Sequence, residues 1–126
     1  MSLEILKQKA KEAASFSYSP YSKFPVSAAF ITKDGRIFTG VNVENGSYGL
    51  TMCAERNAIF ASVTQGAQDI EMMVIYTPTQ TPTPPCGACR QVISEFSKTA
   101  HIVSFCDSEE ELATTIKQLL PHSFSF

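Results

Sequence analysis

Three of the four cysteines stand at the starts of two predicted helices, and this feature constrains the fold more than any other. Cys86 and Cys89 lie in "PPCGACRQV", three residues apart, so both fall on one face of a first helical turn. Cys53 opens a second helical pattern in "TMCAERNAI". A helix N-terminus presents free N–H groups and the positive end of the helix dipole, which stabilise thiolates. A fold that joins the two helix starts would offer three sulfurs to one metal ion.

The rest of the chain alternates between helical and strand-like patterns, which predicts one α/β domain over residues 1–126. We predict helices over residues 2–16, from about 51 to 66 and from about 86, and strands over residues 26–32, 36–41, 72–76 and 102–106. The first two strands flank "KDGR" and form an antiparallel hairpin. The segment "SEEELATTIKQLLP" stays open, because its leucines have helical spacing whereas "LATTI" also suits an edge strand.

Composition and charge exclude several classes of function. The net charge of −2, the pI near 5.6 and the scattered lysines and arginines give no surface for a nucleic-acid polymer or an anionic membrane. The N-terminus lacks a secretory pattern, and no apolar run approaches the length of a bilayer span. We therefore expect a cytoplasmic protein, in which cysteines are ligands, catalysts or buried residues rather than disulfide partners.

Glu55 decides among the possible roles of the cysteines. A redox pair at Cys86 and Cys89 is one alternative, and a closed structural zinc site with Cys106 as fourth ligand is another. Three thiolates alone would instead leave a tetrahedral zinc one open position for water. A carboxylate two residues after Cys53 is suited to move protons at that position, so the pattern favours a catalytic site. We expect Cys106 to be a buried small residue.

These motifs resemble the small zinc-dependent cytidine deaminases. "CAERNAI" and "PCGACRQV" carry the zinc motif, which deaminases of blasticidin S, guanine, tRNA adenosine and polynucleotides share, whereas "SPYSKFPV" and "VNVENGSYGLT" are more specific to enzymes that act on free nucleosides. With a cysteine as the first zinc ligand, the chain is similar to the homotetrameric form of these enzymes. The resemblance implies a three-layer α/β/α sandwich with a mixed five-stranded sheet, in which residues 111–115 are the fifth strand. It implies hydrolytic deamination of cytidine and deoxycytidine in pyrimidine salvage.

The resemblance also assigns the catalytic residues. It implies one Zn²⁺ per subunit on Cys53, Cys86 and Cys89. Glu55 would shuttle protons between water, ring N3 and the departing amine, while the Ala54 N–H would read the base. Arg56 would donate to the ligand sulfurs, since three thiolates and Zn²⁺ carry a net charge of −1 that would weaken the metal as a Lewis acid.

The substrate-binding residues follow from the same resemblance. Phe24 would stack on the pyrimidine ring, and Asn42 and Glu44 would hydrogen-bond the ribose 3′-hydroxyl. Phe124 would reach across the active site of a neighbouring subunit, with Phe126 as the competing candidate.

The chain departs from the usual family pattern at three positions. Ser27 stands where glycine is usual, Gly46 where alanine is usual and Asn57 where threonine is usual. Gly46 lies in the loop near the expected subunit contact and could loosen it. Three further functions are carried as alternatives: deamination of a related molecule such as blasticidin S, deamination of a polynucleotide, which the acidic pI and the short chain disfavour, and a zinc-stabilised binding module without catalysis.

Overall fold

The computed structural model describes residues 2–126. In chain order the elements of this part of the chain are α1 (Ser2–Ala13), a 3₁₀ turn (Ala14–Phe16), β1 (Ser27–Thr32), β2 (Ile37–Val41), a second 3₁₀ turn (Tyr48–Leu50), α2 (Ala54–Thr64), β3 (Ile70–Tyr76), α3 (Gly87–Phe96), β4 (His101–Phe105), β5 (Glu111–Thr115) and α4 (Ile116–Leu119). The predicted helix over residues 2–16 is therefore α-helical only as far as Ala13. Across residues 2–126, every helix is too short or too polar to cross a bilayer.

The strands form one mixed sheet in the order β2-β1-β3-β4-β5. β1 pairs antiparallel with both β2 and β3, β3 and β4 run parallel, and β5 is an antiparallel edge strand. The hairpin between β1 and β2 turns at Gly35, whose φ of 92° lies in the left-handed region that favours glycine. The predicted five-stranded mixed sheet that begins with an antiparallel hairpin is confirmed.

Helices cover both faces of the sheet, which gives the predicted three-layer sandwich. On one face α1 buries Leu6 and Ala10 against Val74 and Val103. On the other face α2, α3 and α4 share the larger core, to which they contribute Ala58, Ile59, Ile93 and Ile116. Because α2 and α3 lie on the same face, their N-termini can approach one another.

Residues 111–115 form a strand and not a helix. β5 pairs with β4 along its whole length, from His101 opposite Thr115 to Phe105 opposite Glu111. The fold implied by the resemblance is right here, and the helical spacing is realised only in the short helix Ile116–Leu119. Without β5, the buried strand β4 would present unpaired N–H and C=O groups at the edge of the sheet, which is unfavourable.

Two of the three unusual positions add hydrogen bonds between elements. The buried Ser27 hydroxyl on β1 donates to the Ala10 carbonyl oxygen of α1 at 2.6 Å. Asn57 Nδ2 on α2 donates to the Val41 carbonyl oxygen of β2 at 2.8 Å. At Gly46, a Cβ would lie 3.1 Å from the Tyr21 hydroxyl, so the glycine avoids a tight contact within the loop. The first two side chains thus help to hold helices on the sheet.

Glycine at position 40 lets α2 approach the sheet closely. A Cβ at Gly40 would lie 2.5 Å from the Ala58 backbone nitrogen and closer still to the Ala54 carbonyl oxygen. Real Cβ atoms do not come so close to backbone atoms, so any other residue would displace α2 from β2. Since Ala54 is the first residue of α2, this glycine also sets the position of the helix start.

The segment before α2 is extended, which corrects the predicted helix start at about Thr51. Val43 and Met52 exchange two backbone hydrogen bonds of 3.0 and 2.9 Å. This pairing holds the chain in β conformation up to Cys53, which immediately precedes the helix as its N-cap. The same pairing fixes the direction in which the chain reaches Cys53, one of the three cysteines predicted to bind the metal.

Candidate metal centre and active site

Three cysteine sulfurs meet where the N-termini of α2 and α3 converge. Cys53 is the N-cap of α2, Cys86 is the N-cap of α3, and Cys89 is buried in the first turn of α3. The three Sγ atoms lie within 4.8 Å of one another. The helix starts therefore bring together the three residues that the sequence predicted as ligands.

The spacing and chemistry of this cluster fit zinc. The Sγ atoms of Cys53 and Cys86 are 3.9 Å apart, and tetrahedral zinc with Zn–S bonds of about 2.3 Å separates its sulfurs by about 3.8 Å. Cys106 is buried elsewhere, as expected, where its sulfur contacts the Ser108 hydroxyl and the Glu110 carbonyl oxygen. Within residues 2–126 the cluster thus has three sulfur ligands, which is the donor set of an open site.

Positive charge and neighbouring thiols polarise the cluster. Arg56 Nη2 donates to Cys53 Sγ at 3.3 Å. A hydrogen bond with Cys89 lowers the pKa of Cys53 to about 5, and the Arg56 guanidinium acts in the same direction. The pKa of Cys89 is raised because it shares this hydrogen bond with Cys53 and is desolvated. Arg56 is thus in contact with a predicted ligand sulfur, where it can offset the negative charge of bound thiolates.

Glu55 lies beside the sulfurs without belonging to the cluster of possible ligands formed by residues 2–126. Its carboxyl group is in the first turn of α2 and only 4% exposed. Burial, and then the charge of Cys53, raise the pKa of Glu55 to about 7. A carboxyl group with this pKa can both accept and release a proton near neutral pH.

A cavity of about 170 Å³ opens onto the predicted catalytic residues. It is lined by side chains from three loops, two helix starts and the end of β3: Val26, Asn42, Thr51, Cys53, Ala54, Glu55, Ile75, Thr83, Pro84 and Cys86. The lining combines apolar side chains with the sulfurs of Cys53 and Cys86 and the carboxyl group of Glu55. A flat apolar ligand in this cavity would therefore contact a metal site and a proton carrier at the same time.

The two predicted ribose-binding residues line two neighbouring cavities. Asn42 is buried and lines the cavity at the cysteines, whereas Glu44 lines an outer cavity of about 340 Å³. Thr51 lies in the wall of both, so the two cavities are adjacent. The pKa of Glu44 is lowered, chiefly by a hydrogen bond from the Ser22 hydroxyl, so this carboxylate is charged at neutral pH.

The two predicted aromatic residues are more exposed than the catalytic group. Phe24 is 38% exposed, on the loop between α1 and β1, and its carbonyl oxygen accepts a hydrogen bond from Asn42 Nδ2 at 2.9 Å. Phe124 is 64% exposed and packs against Phe126 with ring centroids 5.0 Å apart. Phe124 and Phe126 are outside the lining of the cavity of their own chain.

The sequence analysis missed several residues of the site. Thr51, Thr83 and Pro84 line the cavity, and Ser22 contacts Glu44. The proline-rich segment before Cys86 was given no role, although its position beside a predicted ligand was a signal that it could form a wall. Ser22 lies within the motif "SPYSKFPV", but its contact with Glu44 joins residues that are distant in sequence, so the motif alone did not predict it.

Known proteins resemble this chain along nearly its full length. A family model described as the cytidine and deoxycytidylate deaminase zinc-binding region matches residues 1–106. A curated cytidine deaminase from Sporosarcina psychrophila is 43% identical over 128 residues, which span 99% of this chain and 93% of that protein. Another from Halalkalibacterium halodurans is 40% identical over 126 residues, spanning 99% and 96%.

Solved structures agree with these sequence relatives. The crystal structure of cytidine deaminase from Burkholderia pseudomallei matches with a TM-score of 0.93 and 41% identity, covering 98% of this chain and all of that one. Cytidine deaminase from Mycobacterium tuberculosis matches with a TM-score of 0.86 and 35% identity, covering 100% and 99%. The chain therefore belongs to the cytidine and deoxycytidylate deaminase family.

Proposed function

We propose that this protein hydrolytically deaminates cytidine and deoxycytidine to uridine and deoxyuridine, with release of ammonia, in pyrimidine salvage. One observation carries the proposal: Glu55 and two cysteines of the three-cysteine cluster, Cys53 and Cys86, line the same small cavity. Full-length similarity to several cytidine deaminases supports the choice of substrate. A closed structural zinc site would have no use for a buried carboxyl group next to its ligands.

Zinc is the metal that the donor set fits. Cys53, Cys86 and Cys89 would hold one ion per subunit, and Arg56 would reduce the excess negative charge on the sulfurs. When bound in a site with an open position, zinc lowers the pKa of water and so makes hydroxide available near neutral pH.

Glu55 carries the protons of the reaction. It accepts a proton from the attacking water and delivers it to ring N3, which makes C4 electrophilic. The oxygen of the water then bonds to C4. Glu55 then takes the proton of the new C4 hydroxyl and passes it to the exocyclic nitrogen, so that the C4–N bond breaks, the C4 carbonyl forms and ammonia leaves. The Ala54 backbone N–H would hydrogen-bond the base, because Ala54 lines the cavity and is the first residue of α2, whose first N–H groups have no partner within the helix.

The residues at the ribose end of the site hold the nucleoside so that C4 lies at the metal site. Phe24 stacks on the pyrimidine ring, and Asn42 and Glu44 bind the ribose 3′-hydroxyl. Glu44 is charged and can only accept a hydrogen bond, so it selects a hydroxyl that donates. This recognition accounts for a preference for free nucleosides over unrelated aminopyrimidines.

The active protein is a cytoplasmic homotetramer of single-domain subunits spanning residues 1–126, in which Phe124 closes the site of a neighbour. Large apolar side chains that a single chain leaves exposed support this assembly, since such side chains are a feature of interfaces; they include Phe16, Tyr48, Leu50 and Phe124. Sedimentation of the purified protein should give the mass of four chains. Phe124→Ala should raise the KM for cytidine more than Phe126→Ala does.

The direct test is an absorbance assay on zinc-loaded protein. Cytidine and deoxycytidine should both lose absorbance near the cytidine maximum, and a chelator should abolish the change until zinc is restored. Blasticidin S and a cytosine-containing oligonucleotide serve as competing substrates. The proposal would be refuted if the protein turned over blasticidin S in preference to cytidine. It would also be refuted if the protein bound these compounds and turned over none of them.

A further inference from the structure

The loop that carries Phe24 is attached to the segment after β2, which carries Asn42 and Glu44. Tyr18 N donates to the Asn42 carbonyl oxygen at 3.0 Å, and Glu44 N donates to the Tyr18 carbonyl oxygen at 2.8 Å. These two bonds align residues 17–19 with residues 42–44 as a short parallel bridge. The loop therefore leaves this bridge next to the Glu44 side chain.

Glu44 has most of its acceptor capacity occupied by this loop. Its Oε1 accepts from the backbone nitrogens of Tyr21 at 3.0 Å and Ser22 at 3.1 Å. Its Oε2 accepts from the Ser22 hydroxyl. Because a carboxylate oxygen accepts about two hydrogen bonds, Oε1 is saturated and Oε2 retains one free acceptor site. Ser22 thus fixes the orientation of the one oxygen that can still bind a ligand.

Ser22 connects this carboxylate to the backbone of Phe24. A hydroxyl has one hydrogen, and ionised Glu44 cannot donate, so Ser22 donates to Glu44 and accepts from elsewhere. The group that it accepts from is Phe24 N, at 3.0 Å. Asn42 Nδ2 holds the other side of the same residue through the Phe24 carbonyl oxygen at 2.9 Å. Both backbone polar groups of Phe24 are therefore bound to side chains at the ribose end of the site.

We infer that Ser22 is a positioning residue for substrate recognition: its hydroxyl bridges Phe24 N–H and Glu44 Oε2, and so couples base stacking to ribose binding. The inference rests on the roles that the proposed function gives Phe24 and Glu44. A hydrogen bond donated to a charged acceptor is stronger than one between neutral groups, and linked bonds polarise one another. A loop that had only to be closed could be held by hydrogen bonds to backbone groups. The Ser22 hydroxyl instead donates to the Glu44 carboxylate, which lines the outer cavity of about 340 Å³.

The experiment measures KM and kcat for cytidine with the zinc-loaded enzyme. Ser22→Ala should raise KM by about 3–10-fold, the equivalent of one hydrogen bond, and change kcat by less than about 2-fold. Ser22→Thr keeps the hydroxyl and should restore KM to within about 2-fold of the unchanged enzyme. Ser19→Ala is the matched control, because Ser19 lies in the same loop and its hydroxyl contacts Ser17 and not Glu44.

A double-mutant cycle with Glu44→Gln separates the inference from the proposed function. Glu44→Gln should itself raise KM, and adding Ser22→Ala to it should cost less than about 2-fold more, because residues acting through one another are not additive. Full additivity, an unchanged KM in Ser22→Ala, or failure of threonine to rescue would each overturn the role of Ser22 alone. An unchanged KM in Glu44→Gln would overturn the role of Glu44, and the coupling with it.

Discussion

The two ends of the substrate cleft are built differently. At the metal end Cys89 and Glu55 are buried, and the ligands stand at the starts of two helices that pack on the same face of the sheet. At the ribose end Phe24 is 38% exposed, and the polar side chains belong to loops held together by side-chain hydrogen bonds. The metal end is fixed by core packing, whereas the ribose end is fixed by hydrogen bonds near the surface.

This difference matches what each end must do. Proton transfer needs groups within hydrogen-bond reach and shielded from water, which a packed helix start provides. Nucleoside binding needs an opening through which substrate and product pass. A loop provides that opening, and in the proposed tetramer a residue from a neighbouring subunit would cover it. We therefore expect mutations at the metal end to reduce kcat or zinc affinity and mutations at the ribose end to change KM.

Glu55→Gln should have the largest effect. We expect kcat to fall by about 10²–10⁴-fold, the usual contribution of a general acid–base group, because glutamine cannot carry a proton. Zinc content, measured by atomic absorption, should stay unchanged because Glu55 lies outside the cluster of possible ligands that residues 2–126 form. Glu44→Gln is the contrasting variant and should act on KM. Loss of zinc in Glu55→Gln would contradict the separation of the two ends.

Arg56→Gln should weaken the metal end without touching the substrate. Removing the guanidinium that donates to Cys53 leaves the thiolate charge unbalanced, and changes of this kind typically cost about 10–100-fold in metal affinity. Competition with a chelator measures the zinc dissociation constant. Arg36→Gln, which removes a guanidinium from the β1–β2 hairpin, is the control. Equal zinc affinity in both variants would show that Arg56 does not support the site.

Gly40→Ala tests whether core packing holds the metal end. A Cβ there would overlap backbone atoms of Ala54 and Ala58, so we expect a loss of about 1–3 kcal/mol in the free energy of unfolding. Urea denaturation measures this change. Gly49→Ala serves as the control, because a Cβ at Gly49 meets no atom within 4 Å. If the two alanines cost the same, the close approach of α2 to β2 is not what fixes the helix start.

The ribose end should be almost insensitive to mild acid. The Ser22 hydroxyl and two backbone N–H groups hold the pKa of Glu44 below its usual value of 4.5. A lowered pKa keeps the carboxylate ionised as the pH falls, so the KM for cytidine should change by less than about 2-fold between pH 8 and pH 5. Steady-state kinetics across this range provide the measurement. A KM that rises steeply while the pH is lowered from 8 to 5 would mean that Glu44 is not the charged acceptor proposed here.

Much of the site could be predicted because its chemistry depends on short local motifs. The residues around Cys53 and those from Cys86 to Cys89 are compact patterns that identify both the ligand type and the helix starts. The contact of Arg56 with a ligand sulfur also follows from a three-residue spacing on one helix. Local spacing failed for residues 111–115, because helical periodicity and strand pairing competed there and pairing with β4 prevailed.

By itself the sequence determined the donor atoms, the free carboxylate and the alternation of helices and strands, because these depend on residue type and near neighbours. Only the tertiary structure decided that Cys53 and Cys86, 33 residues apart, bring their sulfurs to 3.9 Å. It also decided that Ser22 binds Glu44, 22 residues away. Such contacts depend on strand order, on the face of the sheet that each helix covers and on close approaches such as that at Gly40. These are properties of the whole packed chain.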